Sequence, residues 1–261
     1  MTSLPIFVEN SEWMQALATT KSFFISDLHL RPDSKRNREI LLRFFHSLTS
    51  EPNPITLFLL GDIFDVWVAD HSVFIKQFEP EVNAIADLVQ RGHNIVYVEG
   101  NHDLHLDHFR AKKIGCHVYT KPQYFKQGET VIRAEHGDLI NLEDESYLKW
   151  HAQMRSPWLR FLGRWLPGSF WVWVGERYNA KSRPRNDLRM QQDDIVGMIR
   201  NHAPRSFEEQ PFDYVVTGHM HVRDEFEFQE GKWSINTGSW INMEPKALVI
   251  DSEGHHFQDL Q

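Results

Sequence analysis

Five short stretches carry side chains that could hold metal ions. They are Asp27-Leu28-His29, Gly61-Asp62, Gly100-Asn101-His102-Asp103, His136-Gly137-Asp138 and Gly218-His219-Met220-His221. From them Asp27, His29, Asp62, Asn101, His136, His219 and His221 offer carboxylate, imidazole and one amide oxygen, with no thiolate. That donor set suits Mn²⁺, Fe²⁺, Zn²⁺ or a mixed pair better than a structural zinc. Seven donors are too many for one tetrahedral ion. They fit two divalent ions sharing a carboxylate, roughly 3.5–4 Å apart. Such a pair binds two oxygens of a phosphate and acidifies a bridging water, which can then attack phosphorus in line.

Each stretch needs an element that delivers it, and each follows an apolar run. Phe23–Ser26 precedes the first, Thr56–Leu60 the second and Ile95–Val98 the third. Val131–Ala134 precedes His136, and Tyr214–Val216 precedes Gly218. Open α/β sheets place ligands beyond the carboxyl ends of their strands, so five such ends can meet at one site. In Asp-Leu-His and His-Met-His, extended backbone would turn residues i and i+2 the same way. Taken singly, a lone His is usually a surface or satisfied core group, and a buried Asp often caps a turn. The ordered recurrence argues against that reading for these five stretches. His46, His93, His117, His151, His202, His255 and His256 lack the context and keep it.

Apolar spacing predicts helices over Arg38–Leu48 and Val73–Gln90. Late strands are expected at Ser234–Asn236 and Ala247–Ile250, and residues 1–21 as an extension with Trp13 packed on the body. Strands alternate with helices early and dominate late, which predicts an α/β core with antiparallel parts. A chain of 261 residues can bury a large core. Its formal charge of −8 argues against a nucleic-acid partner held by bulk attraction. The single cysteine, Cys116, excludes an internal disulfide and fits a reducing compartment. Glu9 and Glu12 stand in the first dozen residues without an apolar leader core. The most apolar window, Phe161 to Val174, is 14 residues long and holds Arg164 and Pro167, too short and broken to span a bilayer. The expected location is cytoplasmic, with contact to a membrane surface left open.

Residues 149–189 differ from the rest and read as a helical insertion in one domain, 1–261. Nine Lys/Arg stand there against two acids, and five of the nine tryptophans fall within it. Trp158, Phe161, Leu162, Trp165 and Leu166 follow helical spacing along one face. Two readings stay open. The face packs on the body, or it forms a lid that holds acyl chains while its cations meet phosphate or anionic lipid. The tryptophans and the charge favour the lid. Cations with stacking aromatics can also hold single-stranded nucleic acid, a reading ranked below both because the charge is confined to one insertion.

The five motifs together resemble the calcineurin-like metallophosphoesterase superfamily over residues 22–222. The resemblance implies a four-layer β-sandwich flanked by helices. It implies one metal held by Asp27, His29, Asp62 and His221, and a second by Asp62, Asn101, His136 and His219, with Asp62 as the bridge. Gly61-Asp62-Ile63-Phe64-Asp65-Val66-Trp67, the run from His136 through Asp144 to Tyr147, Pro157-Trp158-Leu159 and Gly238-Ser239-Trp240 resemble the UDP-2,3-diacylglucosamine diphosphatases of lipid A biosynthesis. That narrower likeness implies cleavage of a nucleotide-linked lipid to UMP and 2,3-diacylglucosamine 1-phosphate near the inner membrane. It implies substrate contacts from Asp144, Tyr147, Trp158 and Trp165, and from Lys181 and Arg183. Mn²⁺ is the leading metal, with Fe²⁺ and Zn²⁺ as alternatives. One position departs: that family's best-known members carry Arg where this chain has His102. His102 with Asp65 resembles the His–Asp dyad of phosphoprotein phosphatases, in which His protonates the leaving oxygen and Asp orients it. A soluble phosphoester or nucleotide is therefore the alternative substrate.

Overall fold

The computed structural model describes residues 14–109, 113–175, 177 and 192–261. Two six-stranded sheets form its centre. The first runs in the order β14-β13-β2-β3-β5-β7, with β2 (Ser22–Ile25), β3 (Thr56–Leu59), β5 (Asn94–Val98) and β7 (His117–Tyr119) mutually parallel. Its other edge is antiparallel, through β13 (Lys246–Asp251) and β14 (Gly254–Asp259). The second sheet runs β1-β8-β9-β10-β12-β11. In it β9 (Thr130–Ala134), β10 (Tyr214–Thr217) and β12 (Lys232–Thr237) are parallel neighbours. β1 (Met14–Leu17) pairs parallel with β8 (Gln123–Gln127), and β11 (Arg223–Gln229) closes the far edge antiparallel to β12. A small parallel pair joins β4 (Trp67–Val68) to β6 (Asp103–Leu104).

Period-two alternation along buried strands explains the layers. Phe23 and Ile25 of β2 join Leu57, Leu59, Ile95 and Tyr97 on one face, where α1 (Lys35–Leu48) and α3 (Glu79–Gln90) cover them with Leu41, Phe45, Ile85 and Leu88. Phe24 points the other way. It stacks on Phe58 at 4.4 Å, and Phe58 meets Phe125 of the second sheet at 5.0 Å. Each buried Phe contributes about 1.5–3 kcal/mol. The outer face of the second sheet is covered by α7 (Gln192–Glu209), whose Ala203 packs with Phe212 and Val215. The result is the expected four layers of helix, sheet, sheet and helix.

Two expectations need correction. The predicted helix over Val73–Gln90 is two helices, α2 (Ser72–Gln77) and α3, with Phe78 capping one and opening the other. Pro80 sits in the first turn of α3, where its missing N–H costs nothing, whereas inside one continuous helix its ring would clash with the preceding turn. The strands β7, β8, β11 and β14 carry no clear apolar run, because their outward faces are polar. β7, β11 and β14 are sheet edges, where such residues block pairing with another chain. Trp13 lies outside the described residues.

Between β9 and α7 come α4 (Glu145–Met154), α5 (Pro157–Trp165) and α6 (168–175). Among the described residues no helix is long and apolar enough to cross a membrane.

Candidate metal centre

The seven candidate ligands leave five neighbouring strand ends. Asp27 and His29 follow β2, Asp62 follows β3 and Asn101 follows β5, three adjacent parallel strands of the first sheet. His136 follows β9, and His219 and His221 follow β10, two adjacent parallel strands of the second. Donor atoms of Asp27, His29 and His221 cluster together, as do those of Asp62, His136 and His219, and those of His29, Asp62 and His102. His29 Nε2 lies 3.1 Å from His221 Nε2. Asn101 Oδ1 lies 3.1 Å from His136 Nε2, which is 3.5 Å from Asp62 Oδ2.

The local backbone is not the extended segment that the i, i+2 spacing suggests. Asp27, His29, Asp62, His219 and His221 all have positive φ, from 45° to 64°. Left-handed residues other than glycine are uncommon and cluster at functional sites. The ligands converge through tight left-handed turns. Those turns run so close together that two glycines are required by space. A Cβ on Gly100 would lie 2.1 Å from Asp62 Oδ1, and one on Gly218 would lie 2.4 Å from Asp27 Oδ2.

Surrounding groups hold the ligands in orientation. His136 Nδ1 donates to Leu60 O at 2.7 Å, which turns Nε2 into the site. Asp27 Oδ2 accepts from His219 N at 2.7 Å and from Ser26 Oγ. Asp62 Oδ1 accepts from His102 N at 2.9 Å. Three supports surround these turns. Asp103 is fully buried and accepts from Ile63 N, Gly100 N and Tyr97 OH, knitting the Asp62 and Asn101 turns together. Burial and the Asp62 charge push its carboxyl up to about 7. Ser239 Oγ and Trp240 N donate to Asp27 O, and Asn236 Nδ2 donates to Gly218 O. The acid closing Gly-Asn-His-Asp and the Gly238-Ser239-Trp240 run were the sequence signals for two of these, and Asn236 had none.

The electrostatics favour cations. Asp27 and Asp62 are buried side by side. Burial alone would raise both carboxyls, but neighbouring imidazoles outweigh it and hold both below the usual range. Burial lowers His136 too, yet Asp62, Asp27 and Asp138 prevail and hold it up at about 9. Burial leaves His29 at about 3 and His219 at about 4, both neutral. Asp27 Oδ1 is buried without a hydrogen-bond partner, 3.4 Å from His221 Nε2. An orphaned carboxylate oxygen facing imidazole nitrogens has unmet demand for positive charge, and a divalent cation would meet it. The donors present fit the group.

Other predicted site residues fall differently. The contact that orients His102 runs from its Nδ1 to the main-chain carbonyl of Asp65, at 2.9 Å. The Asp65 carboxylate meets Arg31 Nε at 2.7 Å and lies 3.8 Å from His29 Nδ1. The main-chain carbonyl of Asp65 thus faces His102, while its carboxylate faces Arg31 and His29. Asp144 caps α4 by accepting from Tyr147 N. Tyr147 OH donates to buried Asp138 at 3.2 Å while its ring lies 5.9 Å from that of His219, beside the centre. Lys181 and Arg183 lie outside the described residues. Trp158 and Trp165 stand on the surface, 66% and 76% exposed. The predicted apolar face of α5 is in fact divided. Leu162 and Leu166 are half-buried, and Gly163 seats against Val68 and His105. Trp158, Phe161 and Trp165 point outward as a continuous row, with ring centroids 5.9 and 5.7 Å apart. In α6, Gly168 and Gly175 approach Val73 and Val66 so closely that a Cβ would collide, while Phe170 and Trp173 are exposed.

A family model for calcineurin-like phosphoesterases matches residues 20–223. A UDP-2,3-diacylglucosamine hydrolase from Haemophilus influenzae is 26% identical over 235 residues, 89% of this chain and 96% of that protein. A protein of the same name from Pseudomonas fluorescens is 30% identical over 239 residues, 88% and 92% respectively. Among solved structures, Vacuolar Protein Sorting 29 from Cryptosporidium parvum overlays 92% of this chain and 91% of its own at 15% identity, with a TM-score of 0.48.

Proposed function

Because the chain belongs to the calcineurin-like phosphoesterase family, we propose that it hydrolyses the pyrophosphate bond of UDP-2,3-diacylglucosamine to UMP and 2,3-diacylglucosamine 1-phosphate. Similar proteins carry the name of that hydrolase over nearly their whole length. One observation carries the reading: the helices that begin against the metal centre end in an exposed aromatic row. Tyr147 of α4 touches His219, and α5, which follows after two residues, presents Trp158, Phe161 and Trp165 to solvent. An amphipathic substrate needs that pairing, with polar chemistry at one end and an apolar hold at the other. In this reading residues 149–189 are a lid within one domain. Its aromatic row, with Arg160 and Arg164 nearby, rests on the cytoplasmic face of the inner membrane.

Asp27, His29, Asp62 and His221 would hold one divalent ion. Asp62, Asn101, His136 and His219 would hold the other, and Mn²⁺ is the proposed species. Bound divalent ions supply positive charge to phosphoryl oxygens and acidify water. The chain's own groups do the rest. His102, fixed by its bonds to Asp62 and Asp65, donates a proton to the leaving oxygen. Asp65 steadies both His29 and His102. The turn glycines keep the carboxylates at close quarters.

His102 also motivates a second reading, a soluble phosphoester or nucleotide as substrate. One experiment separates the two. Purified protein with Mn²⁺ is given UDP-2,3-diacylglucosamine in detergent and, separately, a UDP-sugar without acyl chains. The proposal expects rapid release of UMP from the lipid and slow attack on the soluble sugar. Equal or faster cleavage of the soluble compound overturns the lipid assignment.

A further inference from the structure

Arg155 joins two regions that are otherwise distinct. It ends α4 as its C-terminal cap, and the next residue, Ser156, caps the start of α5. Its guanidinium leaves the insertion and reaches the core. Nη2 donates to the carbonyl of Glu99 at 3.2 Å and to that of Gly100 at 3.0 Å, the two residues directly before Asn101. Nη1 lies 3.7 Å from Asp138 Oδ2, the oxygen that also faces His151 Nε2 at 3.1 Å and accepts from Tyr147 OH. Asp138 stands two residues after His136. One cation therefore contacts the turn bearing Asn101 and the carboxylate beside the turn bearing His136. These two candidate ligands come from different sheets.

The rest of the guanidinium is ion-paired with Asp138 but incompletely hydrogen-bonded. Nε and Nη1 are buried without hydrogen-bond partners. They line a cleft with Glu99, Lys121, Glu135, His136 and Asp138. Burying a cation is costly unless it is paired and hydrogen-bonded; Asp138 pairs the charge, and the edge that carries the hydrogen bonds is the one aimed at the ligand turn.

We propose that Arg155 is a positioning residue for the metal centre. It braces the Gly100-Asn101 turn and so links affinity for the ion held by Asn101 and His136 to the joint between α4 and α5. This rests on the two-ion reading above. Outer contacts to metal ligands typically change affinity 10- to 100-fold. By reciprocity, metal uptake must then steady the α4–α5 joint.

The test is Mn²⁺ titration of the purified full chain, read by EPR for the number of bound ions and their magnetic coupling. The variants are Arg155→Ala and Arg155→Lys. Lys keeps a cationic donor on a stem only one atom shorter, and it remains informative if Ala does not fold. Arg155→Ala is expected to bind one ion normally and the second about 10- to 100-fold more weakly, with Arg155→Lys in between. Amide exchange across 150–160 is expected to slow on Mn²⁺ addition in the parent protein and not in Arg155→Ala. Two ions bound with parental affinity by both variants would overturn the role of Arg155. So would equal exchange protection in parent and Ala variant. A parent protein that binds fewer than two ions would instead overturn the two-ion reading itself.

Discussion

The centre and the insertion solve opposite problems with the same chain. At the centre the backbone is bent into uncommon conformations, and even a methyl group on Gly100 has no room. On α5 and α6 Trp158, Phe161, Trp165, Phe170 and Trp173 face outward, while Trp171, Leu166 and the closely packed Gly163, Gly168 and Gly175 make the seat. The contrast teaches where specificity resides. The bond that is broken is set by a rigid interior that tolerates little change. In the proposed function, what the substrate carries beyond that bond would be read by the exposed aromatic row, which stands apart from the ligand turns.

The contrast is sharpest if the two regions fail differently. Asp62→Ala and His136→Ala are expected to reduce turnover to background on every substrate while the chain stays folded, checked by steady-state rates and circular dichroism. Near-parental rates would remove the metal assignment. His102→Ala should lower kcat by about 10²–10⁴-fold with both ions still bound. A loss of metal instead would make His102 a ligand.

Acidity probes the interior alone. His136 is held protonated up to about 9 in the metal-free protein, and His221 is also raised, whereas a ligand must be neutral. Metal uptake at pH 7 should therefore release at least one proton. Apparent Mn²⁺ affinity should rise about tenfold per pH unit toward 9. A pH-independent affinity would contradict the charge balance described above.

The smallest expected effect belongs to the surface. The double change Trp158→Ala with Trp165→Ala should raise KM for the acylated substrate about tenfold, through lost apolar contact, and leave the soluble UDP-sugar unchanged. A matching loss on both substrates would mean that α5 supports the fold after all.

Much of the centre was legible because its signals are local. An apolar run that ends abruptly in Asp, His or Gly recurs five times, and the order of strands brings those ends together. The left-handed turns were hidden, since Asp27 and His29 have the same spacing whether the backbone is extended or bent. The support that Asp103, Asn236 and Ser239 give was hidden for another reason. Their partners lie on other strands, and a hydrogen bond across the fold leaves no periodic trace. Along α5 the spacing correctly gave a helix but not which half of the apolar stripe would be covered. Leu162 and Leu166 differ from Phe161 and Trp165 by a single step around the helix. The glycine at 163 marks the covered side only once Val68 and His105 are known to face it.

The five candidate ligands in left-handed conformation have a consequence for the life of the protein in the cell. Each such turn costs about 1–2 kcal/mol in backbone energy, so together they approach the net stability of an ordinary domain, about 5–15 kcal/mol. A cation bound at one hundred times its dissociation constant returns about 2.7 kcal/mol. Metal supply would then govern persistence as well as catalysis. A chain made during metal starvation would open more often, meet proteases sooner and be fewer in number, before a single turnover was lost.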